Sequence, residues 1–400
     1  MAGAGANRLR SLVASALGRR RPHAGARAPA PALVELSHSG AAPLSGERPD
    51  PLAPLHVATV IPSFRRGSGG HATIVNLLRE LRALGHSVSV WLEDFEGRHA
   101  DEHTAVTKRS FDEFYRADGL DLHTSFDAWR GADVVLATGW QTVARTLLLP
   151  GAAARAYLVQ DHEPDFYGAS AESLWSAQTY RQGLHCIAAS PWLAELLRAR
   201  YGADATHFDL AVDHAVYRST GERRRDDLVI FYARAATPRR AVPLGLLALE
   251  ELARRRPDIQ IALYGEASPL AVPFHHRHLG VLDARRLSTL YSQATVGVVL
   301  SLTNPSLVGL EMMACGLPCV ELASESMLTT FGAGGPLALA EADPLALCAS
   351  LERLLDDHGL RRSSSTAGVE LMAARTWKRA ATQVHDGLAR ALEIGAGGHG

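Results

Sequence analysis

Arg234 and Arg239 stand five residues apart after the apolar run Leu-Val-Ile-Phe-Tyr, with no acid between them. Guanidinium forks match phosphate oxygens, so this pair suits a diphosphate clamp. A second anion-receiving feature is the stretch Thr303 to Pro318, which follows the apolar run Val296 to Leu300. Pro305 and Ser306 suit the first turn of a helix and Gly316 with Pro318 suits its stop, so about three helical turns are expected there between two strands. Its start, at Ser306, Leu307 and Val308, would offer free backbone N–H groups and a positive dipole end to an anion. Glu311 is the single acid in the apolar middle of that helix.

Two loops could face these groups. The run His56 to Pro62 reads as a buried strand, and Ala72 to Leu84 as a helix closed by Gly85, with Gly69 and Gly70 in the loop between them. Strand, glycine-rich loop and helix in that order make an anion-accepting turn, although the same glycines would also serve tight helix packing. Later, the strand Ala156 to Gln160 runs into Asp161-His162-Glu163-Pro164. Ligand groups in open parallel sheets gather at strand C-terminal ends, which makes His162 the leading candidate of that loop, ahead of Asp161 and Glu163. Such a polar cluster could equally be a solvated turn.

The elements that must position these residues alternate. Further strands are expected at Asp133 to Ala137, Cys186 to Ala189 and Thr206 to Val212, then at Asp227 to Ala233, Ile259 to Tyr264, Val296 to Ser301 and Cys319 to Leu322, separated by helix-length segments. This is the βαβ pattern of parallel sheets covered on both faces. The charged turn Ser219 to Asp227 divides two such blocks. The expected organisation is a basic tail over 1–50, a first Rossmann-like domain over 51–218, a second over 226–375, and a C-terminal helix over 376–394 that packs back on the first domain.

With 400 residues, 47% of them hydrophobic, the chain can build two cores. A net charge of −1 argues against a broad nucleic-acid footprint. The four cysteines lie in apolar contexts without metal-ligand spacing, as expected of buried thiols in a reducing, cytoplasmic setting. No run approaches the roughly 18 apolar residues needed to span a bilayer. In the first fifty residues six arginines precede the first acid, Glu35. Asn7 to Arg20 could form a basic amphipathic helix that touches anionic membrane; otherwise the segment is a disordered tail.

These residues together resemble the GT-B glycosyltransferases of family 4, retaining enzymes that use nucleotide sugars. The resemblance covers roughly Leu55 to Leu392 and rests on Gly69-Gly70, His162, Arg234 with Arg239, and Leu310 to Pro318. The Gln160 to Pro164 loop and the Arg234 to Arg239 segment look most like a bacterial subgroup that includes rhamnan-type rhamnosyltransferases. The resemblance implies two Rossmann-like parallel-sheet domains facing a cleft. It implies transfer of a sugar from an NDP-sugar donor to a glycan or lipid-linked glycan acceptor with retention, and dTDP-rhamnose is the first donor to consider; the chain holds no Asp-x-Asp motif, so no metal bridging the diphosphate and no other cofactor is expected. By the same resemblance Glu311 would hold the nucleotide ribose, His162 would orient the donor sugar, and Gly69, Gly70, Ser306, Leu307 and Val308 would line the donor site. The family has a first acid eight residues before the second, and Thr303 stands at that position. Thr303 or Asn304 would then offer the sugar neutral hydrogen bonds, which suits a 6-deoxyhexose. The alternative is a non-catalytic nucleotide-sugar or glycan-binding protein with a degenerate site.

Overall fold

The computed structural model describes residues 31–45, 48–117, 119–220 and 224–397. The helix expected at Asn7 to Arg20 lies outside them.

Seven strands make the first sheet: β1 His56–Pro62, β2 Ser87–Glu93, β3 Asp121–His123, β4 Ala132–Ala137, β5 Ala152–Val159, β6 His185–Ala188 and β7 Ala205–His207. Six make the second: β8 Leu228–Tyr232, β9 Gln260–Tyr264, β10 Arg277–His278, β11 Val296–Val298, β12 Cys319–Leu322 and β13 Leu337–Ala340. Every pairing is parallel, and the inner strands β1, β5, β6 and β12 are buried almost residue by residue, as the apolar runs require when helices cover both faces.

The strand orders fix where a ligand can sit. The first sheet runs β3-β2-β1-β4-β5-β6-β7 and the second β10-β9-β8-β11-β12-β13. Each reverses direction once, between β1 and β4 and between β8 and β11. Loops leaving the C-terminal ends of those strands diverge to opposite faces of the sheet and leave a crevice.

Several boundaries differ from expectation. The helix after β1 begins at Gly69 rather than Ala72, so both glycines lie in its first turn. The helix carrying Glu311 spans only Leu307–Ala314; Ser306 is its N-cap and Pro305 stands outside. It sits tight on β11, because a Cβ at Gly297 would lie 2.6 Å from the Met312 sulfur. The C-terminal helix expected over 376–394 is separate from the helix before it. His358–Ala373 stops before Thr376, whose hydroxyl accepts from Arg379 N at 3.2 Å and opens Trp377–Gly397.

That last helix lies on the first sheet. Gln383 Oε1 accepts from Asp209 N at 2.9 Å, Arg390 pairs with Asp204 at 3.1 Å, and a Cβ at Gly387 would come within 2.8 Å of Ile187. The expected tail also needs correction. Pro31–Ser39 is a helix that buries Ala32, and Ala42 N and Ser45 N donate to Leu147 O and Ala152 O at 2.9 and 2.8 Å. Residues 31–45 therefore pack with the first sheet and are not part of a disordered tail. All four cysteines are buried and unpaired, and burial pushes the Cys186 thiol up to about 12.

Candidate active site

Both switch points open onto one cleft of about 480 Å³ between the sheets. From the first sheet it receives the start of helix Gly69–Ala83, and from the second the loop after β8 and the start of helix Leu307–Ala314. The two helix starts nearly touch: a Cβ at Gly69 would meet Leu307 Cδ1 at 3.7 Å. Two positive dipole ends thus point into the same space.

The first helix start is held open. Ser68 is its N-cap, yet its side chain caps no N–H. The hydroxyl instead meets His71 Nδ1 at 2.9 Å, while Nε2 of the same ring lies 3.2 Å from the carbonyl of Pro62. That network assigns the neutral tautomer with Nε2–H donating to the carbonyl and Nδ1 accepting from the serine. Burial enforces it by holding the imidazole down to about 4. The amides at Gly69 and Gly70 are left to a ligand.

On the second domain Arg234 and Arg239 line the cleft. Arg239 Nε lies 3.3 Å from Asp161 Oδ2, and its guanidinium stacks 4.2 Å over the Phe166 ring. Ser306 caps its helix through Val308 N at 3.3 Å, and Leu307 and Val308 complete that wall. Glu311 lines the cleft half-buried, hydrogen-bonded by the Tyr217 hydroxyl, and burial raises its carboxyl to about 8. Glu163 lines the opposite side, accepting from Trp140 N at 2.7 Å and the Tyr157 hydroxyl at 2.8 Å; burial raises it to about 7.

Gly69, Gly70, Arg234, Arg239, Ser306, Leu307, Val308 and Glu311 are therefore brought together. His162 is not. It is 1% exposed and does not line the cleft; Nδ1 meets Asp165 Oδ2 at 2.7 Å and Nε2 meets the Tyr201 hydroxyl at 2.7 Å. The ring is a tie between the loop after β5 and helix Pro191–Tyr201, which corrects the expectation that it faces the reacting sugar.

Thr303 and Asn304 are also turned from the cleft, each 2% exposed. Thr303 Oγ1 donates to Asp161 Oδ2 and Asn304 N donates to Asp161 Oδ1, both at 3.0 Å. The Asn304 amide donates to Gln160 O and Ala189 O at 3.0 Å and accepts from the Ser190 hydroxyl at 2.6 Å. With every polar atom of both side chains engaged across the domain junction, neither offers the free hydrogen bonds expected of it.

Sequence reasoning missed Tyr217, Glu321 and the Ser68–His71 pair. Glu321 accepts from Ser301 N and Leu322 N at 2.9 and 2.8 Å, and so shapes the loop before Thr303 from beneath. A lone acid inside the otherwise apolar strand Cys319–Leu322 was the signal for it. Tyr217 carried none, because it lies in the connection between the sheets. Among the described residues no group of three or more His, Cys, Asp or Glu is placed to hold a metal, and no helix is long and apolar enough to cross a membrane.

Two parallel-sheet domains with a cleft at facing switch points are the GT-B fold. Residues 67–215 match the domain family Glycosyltransferase Family 4, and residues 227–351 match the WsaF C-terminal domain. The chain thus has the GT-B fold and is similar to glycosyltransferase family 4 in its first domain. It is 32% identical over 262 residues to an O-antigen biosynthesis protein, RfbC, of Myxococcus xanthus, which covers 64% of this chain. The chain spans about 20% of the length of that relative. Sucrose-phosphate synthase of Thermosynechococcus elongatus superposes over 84% of this chain and 99% of its own with a TM-score of 0.63 at 18% identity. Alr3699/HepE of Anabaena, solved with UDP-glucose, covers 85% of this chain and 99% of its own at 0.61 and 13%. Identities this low speak to the fold alone.

Proposed function

We propose that this protein transfers a sugar from a nucleoside diphosphate sugar to a hydroxyl of a growing glycan. The observation that carries the reading is the convergence of Arg234, Arg239 and two helix starts on one cleft, the start at Gly69 without a side-chain cap. When the glycosidic bond to the donor breaks, negative charge collects on the departing β-phosphate, and positive groups fixed there lower the barrier. The chain's own groups supply that charge, so the proposed transfer is metal-independent. Glu311, at the cleft wall beside the second helix start, is suited to hold ribose hydroxyls.

The family likeness of the first domain supports a retaining transfer by front-face attack, and the similarity to the O-antigen protein supports a polysaccharide acceptor. For the donor we propose a 6-deoxyhexose, with dTDP-rhamnose first, used in the cytoplasm on a glycan carried at the inner face of the membrane. The test is release of nucleoside diphosphate from a panel of sugar donors, with and without an acceptor glycan. Acceptor-dependent release supports transfer. Donor binding without release from any member of the panel overturns it.

A further inference from the structure

We infer that Asp161 is the carboxylate that reads the hydroxyls of the transferred sugar, carried into the second domain's half of the site from the first domain. The inference rests on the donor reading above. Asp161 stands two residues past the end of β5 in the first sheet, is 9% exposed, and lines the cleft. Its Oδ1 accepts from His162 N at 2.9 Å and Asn304 N at 3.0 Å, which uses both lone pairs. Its Oδ2 accepts from Thr303 Oγ1 at 3.0 Å and keeps one acceptor direction.

That direction lies beside the diphosphate arginine. Arg239 Nε is 3.3 Å from Oδ2 without forming a hydrogen bond. Three donors from two domains thus aim a carboxylate whose remaining lone pair is contested only by a group that the diphosphate would engage. A sugar whose diphosphate sits on Arg239 can place a hydroxyl on Oδ2. The side chain at 303 cannot serve instead, because the Thr303 hydroxyl is spent on Asp161 itself. The acid expected eight residues before Glu311 has a counterpart one hydrogen bond away, on the other domain.

The consequence is a division of labour. Nucleoside diphosphate is held without Asp161, whereas the sugar is recognised only while the domains are apposed as they are here. Calorimetry with dTDP and dTDP-rhamnose, then UDP and UDP-glucose, on the full chain tests it. Asp161→Asn keeps the shape and the Asn304 contact. It is expected to lower affinity for the sugar nucleotide roughly tenfold or more, with affinity for the bare nucleotide unchanged or higher. Asp161→Ala combined with Thr303→Glu, which returns a carboxylate from the opposite side, is expected to recover at least half of the lost discrimination on a logarithmic scale. Equal loss for nucleotide and sugar nucleotide, or no recovery in the double variant, makes Asp161 a latch between domains and overturns the assignment. Failure of the unaltered protein to bind any nucleotide in the panel removes the donor reading and this inference with it.

Discussion

The hydroxyl of Ser68 lies 2.9 Å from Nδ1 of His71, and this contact diverts the serine from the helix start it would otherwise cap. The diversion needs a neutral imidazole. In the unfolded chain His71 takes a proton below about 6.5, in the folded protein only below about 4. Stability from this group is therefore fully present above pH 6.5 and is lost as pH falls towards 4, by up to roughly 3 kcal/mol. Thermal unfolding across that window should show the loss, and His71→Gln should flatten it.

Glu311 carries the opposite sign. Its carboxyl is raised to about 8 by burial, which favours the protonated form in the free protein at neutral pH. If the carboxylate accepts ribose hydroxyls, nucleotide affinity should rise with pH by up to about tenfold per unit and level off above 8. Glu311→Gln should abolish the slope and weaken binding by about 1.5–3 kcal/mol at pH 9. Calorimetry between pH 6 and 9 reads both effects, and a flat profile in the unaltered protein would sink the ribose role.

Arg239 is poised to exchange Asp161 for phosphate. Its removal should cost turnover more than ground-state binding, since leaving-group charge develops only in the transition state. Arg239→Ala is expected to lower kcat by roughly 100-fold or more while KM for the donor moves severalfold. A loss carried wholly by KM would mark Arg239 as a binding residue alone.

His162 should behave as a structural tie. His162→Ala leaves the Tyr201 hydroxyl and the Asp165 carboxylate without their partner, at a cost of about 1–3 kcal/mol in chemical denaturation. Turnover of the fraction that remains folded should fall less than tenfold. A collapse of kcat with unchanged stability would return the residue to the chemistry.

Much of the site was legible in the chain. Alternating apolar runs and turn residues place the strands because parallel sheets bury both faces, and the loops after β1 and β8 fall at strand ends where ligand groups collect. Gly69, Arg234, Arg239 and Glu311 could be chosen on that ground, each by its own local chemistry. Short elements escaped. β3, at Asp121–His123, and β13, at Leu337–Ala340, are too brief for a periodic signal.

What only the tertiary structure decided is which way side chains in one loop turn. Asp161, His162 and Glu163 are consecutive, yet Asp161 and Glu163 line the cleft while His162 ties to Tyr201 behind it. Asp161 and His162 are turned by partners 39 to 143 positions away, Tyr201, Arg239, Thr303 and Asn304, and Glu163 is held by Trp140 and Tyr157. The sequence by itself determined two parallel-sheet domains and the residue types at their facing edges, since periodicity and turn chemistry are short-range. The pairing of Asp161 with Thr303 belongs to the packing of one domain on the other, where distant donors compete for the same carboxylate oxygens.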